Sequence, residues 1–146
     1  AKITLEINAI GNVVLINAGL GEKPDYLPLK TIDENGRALG GASRIIAKES
    51  SETDHAETVQ IVTIDDMVGT DRNVTIIQLD VEGYEKEALA GALKTIDRCR
   101  PIIILEILSD NALLNSPWFS ENILSLGYHK IHTMYQNLVF SCEPQL

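Results

Sequence analysis

Three carboxylates stand where apolar chain ends. Asp80 closes the run Val-Thr-Ile-Ile-Gln-Leu-Asp-Val at 74–81, Glu82 follows it, and Glu106 lies near the end of Pro-Ile-Ile-Ile-Leu-Glu-Ile-Leu at 101–108. Each run is short, β-branched and apolar on both faces, as in a central parallel strand. A carboxylate next to Ile77, Leu79, Ile104 and Leu105 is costly unless it is paired, hydrogen-bonded or metal-bound. In open α/β sheets ligands bind outside the carboxyl ends of the strands. Two acids on neighbouring strand ends could hold a divalent cation, hold a substrate hydroxyl, or act as a base. The structural alternatives are that Asp80 caps the helix after Gly83 and that Glu106 pairs with Arg100.

A second segment, Asn17-Ala18-Gly19-Leu20-Gly21, invites a dinucleotide-loop reading. That motif needs a third glycine and a following helix. Pro24 and Asp25 stand there instead, so a turn after an edge strand is the simpler reading. His55 lies in a charged stretch and reads as solvated. His129 and His132 are three apart on a predicted strand and so face opposite sides, which argues against a shared metal. With no histidine at ligand spacing, a metal-dependent hydrolase using Asp80 and Glu106 has little support. Cys99 and Cys142 form no ligand pair and read as reduced thiols of a cytoplasmic protein.

The elements that must position these residues alternate. Ile3, Ile7 and Ile10 share a helical face that stops at Gly11-Asn12, with no start signal before it. Strands are expected at Asn12–Ala18, Tyr26–Leu29, Ser43–Ala47 and Val59–Ile64, then a helical turn at Asp65–Val68. Val74–Val81 is followed by a helix over Tyr84–Arg98 with a buried stripe of Leu89, Ala92, Leu93 and Ile96. Glu85 and Glu87 sit in its first turn, where the helix dipole favours anions. After Pro101–Leu108, Ser116-Pro117 starts a helix that Gly127 ends. Tyr128–Met134 and Leu138–Cys142 then form a hairpin. The fold class is α/β, one domain, with a mainly parallel sheet built on Val74–Val81 and Pro101–Leu108 and an antiparallel C-terminal hairpin.

Composition excludes other classes. The chain has 146 residues, 45% apolar and 23% charged, which fits one globular domain rather than a disordered chain. Twelve basic against 21 acidic residues give a net charge of −9. That balance repels nucleic-acid backbones and anionic membrane surfaces. No apolar run reaches the roughly 18 residues that span a bilayer, and residues 1–16 carry no signal-peptide pattern.

Four motifs in order carry a resemblance: Val-Thr-Ile-Asp-Asp-Met at 62–67, Ile-Ile-Gln-Leu-Asp-Val-Glu-Gly-Tyr-Glu at 76–85, Ala-Leu-Ala-Gly-Ala at 88–92 and Arg-Pro-Ile-Ile-Ile-Leu-Glu-Ile at 100–107. Together they closely resemble the FkbM family of S-adenosylmethionine-dependent methyltransferases. The resemblance implies a class I methyltransferase fold, Rossmann-like and three-layered, with Asn12–Ala18 as its third strand, Val74–Asp80 its fourth and Pro101–Glu106 its fifth. It implies an O-methyltransferase acting on a sugar or other hydroxylated small molecule. By the same analogy Asn17, Ala18 and Gly19 meet the cofactor's adenine, and Asp80, Glu82 and Glu106 meet the acceptor. The family's glycine-rich cofactor loop and ribose-binding acid have no match here. The chain is therefore expected to be the C-terminal portion of a larger methyltransferase domain. By itself it should be inactive, binding S-adenosylmethionine weakly or not at all, and associating through an uncovered sheet edge at Val74–Val81. The rival expectation is a non-catalytic interaction module that keeps the fold.

Overall fold

The computed structural model describes residues 2–48, 50, 56–107 and 112–142. His55 and Leu108 lie outside them. The elements are α1 (Lys2–Ile7), β1 (Gly19–Leu20), β2 (Asp25–Lys30), β3 (Arg44–Ile45), β4 (Ala56–Val62), α2 (Ile64–Met67), β5 (Ile76–Leu79), α3 (Glu85–Ala90), α4 (Leu93–Cys99), β6 (Ile102–Glu106), α5 (Pro117–Asn122), β7 (His129–Met134) and β8 (Asn137–Ser141). The strands form two four-stranded sheets, in the orders β1-β4-β2-β3 and β5-β6-β8-β7.

The expected pairing of Val74–Val81 with Pro101–Leu108 is present: β5 and β6 run parallel from Ile76↔Ile102 to Leu79↔Leu105. A mainly parallel sheet is not. Only β1–β4 and β5–β6 are parallel, whereas β2 pairs antiparallel with β3 and β4, and β8 with β6 and β7. The helices α3 and α4 carry the chain from β5 back to a parallel β6, whereas the tight turn between β7 and β8 returns it antiparallel.

Asn12–Ala18 is not a strand. Val13, Val14, Leu15 and Ile16 are between 48% and 79% exposed. An apolar β-branched run becomes a strand only where a neighbour accepts its hydrogen bonds. That neighbour arrives at Gly19↔Ile61 and Leu20↔Val62 on β4, and the Gly21 N–H then donates to the Val62 carbonyl. Nor is the helix over 84–98 continuous. It breaks at Gly91-Ala92 into α3 and α4, because the Gly91 carbonyl accepts from the Asp65 N–H. The Asp65 carboxylate in turn accepts from the N–H groups of Lys94 and Thr95, at 3.1 and 2.8 Å, and so caps α4 from another element.

The core lies on one face of the second sheet. Ile77 and Leu79 of β5, Ile103 and Leu105 of β6, and Phe140 of β8 pack against Leu89, Ile96, Phe119 and Ile123 of the helical layer. Phe119 meets Phe140 edge-to-face with ring centroids 5.4 Å apart. α5 begins as expected, with the Ser116 hydroxyl accepting from the Phe119 N–H after Pro117 takes the first helical position. The opposite face is uncovered, against the expectation that both strands are buried on two sides: Ile76 is 55% exposed and Ile102 38%.

Gly91 packs so closely on Gly21 that a Cβ there would collide with the Gly21 carbonyl oxygen. Gly91→Ala is expected to destabilise the fold by about 3 kcal/mol, read as a lowered midpoint in urea. The uncovered face and the free edge of β5 predict self-association of the chain. Sedimentation velocity should give a species heavier than 16.0 kDa. Ile76→Lys with Ile102→Lys should return it to monomer, and a monomeric wild type at high concentration would refute this interface.

Candidate functional site

The register of β5 and β6 builds the acid pair. Leu79 faces Leu105 as the last hydrogen-bonded partners, so Asp80 and Glu106, one step further, come side by side. With a side-chain period of two they share the face of Gln78 and Ile104, away from the helical layer. Glu106 also sits opposite Asn137 of β8. Asp80 is exposed; Glu82 and Glu106 are half-buried. The Asp80 charge, foremost, lifts the Glu106 carboxyl above the usual carboxylate range. Partial desolvation, a hydrogen bond between the two carboxyl groups and the Glu82 charge add to it. A like charge alongside disfavours the ionised form of Glu106, and a carboxyl with a raised pKa is a stronger base.

Neither structural alternative for these acids is observed. The residue preceding α3 is Tyr84, with no side-chain cap, so Asp80 does not cap that helix. Arg100, at the other end of β6, pairs with Asp97 at 2.7 Å and donates to the Asp97 and Leu126 carbonyls.

Glu82 is held by a strained turn. The Tyr84 N–H donates to the Val81 carbonyl, and Glu82 and Gly83 both have positive φ, 49° and 91°. Glycine takes this conformation freely, whereas glutamate does so at a cost of about 1 kcal/mol. Two residues that sequence reasoning missed fix the turn. Glu85 was read only as a first-turn acid favoured by the helix dipole; it is 3% exposed, and its Oε1 accepts from the Gly83 N–H at 3.1 Å. The Tyr84 ring packs beside Gly21, and burial, then the charges of Glu87, Asp25 and Glu22, push its hydroxyl pKa up. The signal for both was present in Glu-Gly-Tyr-Glu, a turn dipeptide followed by an aromatic and an acid.

Asn17 is exposed, while Ala18 and Gly19 are half-buried. A Cβ at Gly19 would come within 2.9 Å of Ile61 Cδ1 and 3.2 Å of Ile45 Cδ1, so close packing of β1 accounts for this glycine. What 17–19 offer a nucleotide is one side-chain amide and backbone groups, too few contacts to hold it alone. The segment meets the turn that carries Glu82 where Gly21 packs beside the Tyr84 ring. The carboxylates thus form one group, and 17–19 flank it.

The histidines differ from expectation. A bulge between Lys130 and His132 sets His129 opposite Ser141 and His132 opposite Val139, so both share the uncovered face. Among the described residues no three His, Cys, Asp or Glu are arranged to hold a metal ion, and no helix is long and apolar enough to cross a membrane.

The raised Glu106 carboxyl has a pH consequence. Its proton is held more tightly in the folded than in the unfolded chain, so this contribution to stability is full at low pH. It fades as pH climbs from the ordinary carboxylate range through the raised value. Glu106→Gln keeps a hydrogen-bonding group and removes the charge. The variant should melt higher than wild type at about pH 8 and alike at about pH 4. A variant no more stable at the higher pH would show that the two acids do not oppose each other.

No curated protein matches the chain. A methyltransferase FkbM from Methylobacillus flagellatus is similar in structure, with a TM-score of 0.59 and 19% identity over 96% of this chain and 32% of that one, a likeness of fold. The chain therefore spans about a third of that protein's length. The model of the methyltransferase FkbM domain matches residues 2–135, and the chain belongs to that family.

Proposed function

We propose that the chain forms the acceptor side of a cytoplasmic S-adenosylmethionine-dependent O-methyltransferase, as the C-terminal portion of a longer domain. The acceptor is a hydroxylated small molecule, a sugar included. The Asp80–Glu106 pair at the carboxyl ends of adjacent parallel strands carries this reading. Two carboxyls held side by side can orient a hydroxyl through one oxygen and accept its proton through another. Glu82, fixed by the turn beside them, supplies a further acceptor for the same group. Family membership supports methyl transfer as the reaction. Since 17–19 offer a nucleotide few contacts, the chain alone holds S-adenosylmethionine weakly or not at all, and the remaining contacts come from outside it.

The test is Asp80→Asn in the full-length enzyme. Asparagine keeps shape and hydrogen bonding but cannot share or accept the acid proton, and no helix cap is lost. Turnover should fall about a hundredfold with cofactor affinity unchanged. Turnover equal to wild type would remove the pair from catalysis.

A further inference from the structure

Beside the strained turn lies a hollow of about 460 Å³, in the range that takes small molecules. Gly83 forms its near end, directly after Glu82, and Leu113, Pro117 and Trp118 form an apolar wall. Trp118 is placed there by the start of α5, where the Ser116 hydroxyl and Pro117 fix the first turn. The Lys86 ammonium hangs 6.0 Å from the centroid of the Trp118 ring and makes no ion pair among the described residues.

We infer that this hollow is the docking subsite for the body of the acceptor, and that it takes a flat, uncharged aromatic ring bearing hydroxyl groups. The inference rests on the methyl-transfer reading only for the word acceptor. A planar ring sits about 3.5–4.0 Å from the indole plane. Lys86, exposed and on a flexible stem, need swing outward only a little to cover its second face. An aromatic ring then gains stacking on Trp118 and a cation above it, two contacts a saturated ring lacks. Charge selects against ions of either sign. Lys86 repels a cation from the indole face, while Glu87 in the lining and Glu82 at the turn repel an anion. Hydroxyls at the Gly83 end point the reactive edge toward the turn that carries Glu82.

The chain has a single tryptophan, so its indole N–H gives one resonance that reports on the hollow directly. Catechol is the probe. Titration should move that resonance saturably, with half-saturation at about 1 mM, as expected for so small a ligand. Lys86→Ala, a change at an exposed position, should weaken binding roughly three- to fivefold. trans-1,2-Cyclohexanediol has two hydroxyls but no aromatic face, and choline is a cation; neither should move the resonance at the concentrations that saturate with catechol. No response to catechol, or an equal response to either control, overturns the subsite. The titration needs no cofactor, so it fails separately from methyl transfer. Methylation of other alcohols without an indole response sinks the subsite alone. An indole response in a full-length protein that methylates nothing sinks the enzymatic reading alone.

Discussion

The two halves of this fold meet at one reciprocal clamp. The Asp65 backbone donates to Gly91 where the helical layer breaks, and the Asp65 carboxylate takes the first free N–H groups of α4. Helix ends leave such groups unsatisfied, and here a residue of a different element satisfies them. The clamp ties the short helix after β4 to the helices that cover β5 and β6. It also fixes Gly91 against Gly21, bringing the Gly19–Gly21 segment to the turn that holds Glu82. That junction relates the first sheet to the strands that carry the acids.

The acid pair depends on this arrangement at one remove. β5 and β6 are held parallel by the core that Leu89, Ile96, Phe119 and Ile123 pack against them. That packing brings together two carboxyls 26 positions apart in sequence. The repulsion between them is offset by burial of Ile77, Leu79, Ile103 and Leu105 on the other side. Strain at Glu82 is borne in the same way, by Glu85 beneath the turn and Tyr84 beside it. The helical layer therefore stabilises a cluster that local forces would disperse.

Much of this was legible in the residues. Asp80 and Glu106 stood out because β-branched runs end on them, and the parallel pairing followed from one helical crossover. Ser116-Pro117 announced α5 because its cap is local. What was hidden depends on distant partners. The break at Gly91 comes from Gly21 and Asp65, 70 and 26 positions away, so the stripe from Leu89 to Ile96 read as one helix. Asn12–Ala18 has the composition of a strand but no neighbour to pair with before Gly19. Glu85 read only as a first-turn acid, because its burial is set by the turn it supports. The histidine faces were misread because a bulge shifts the alternation between Lys130 and His132.

The uncovered face of the second sheet has a meaning for the folding search. Strand side chains alternate, so a one-residue slip of β5 against β6 turns every side chain over. Gln78 and Asp80 would then be driven beneath the helices, and Ile77 and Leu79 out into water. Because one face packs under the helices and the other carries Gln78 and Asp80, those polar residues proofread the alignment. A sheet covered on both sides by aliphatic residues would lack that check, since its slipped and correct forms bury much the same surface. The side that carries the acids is therefore also the side that tells the chain its strands are in step.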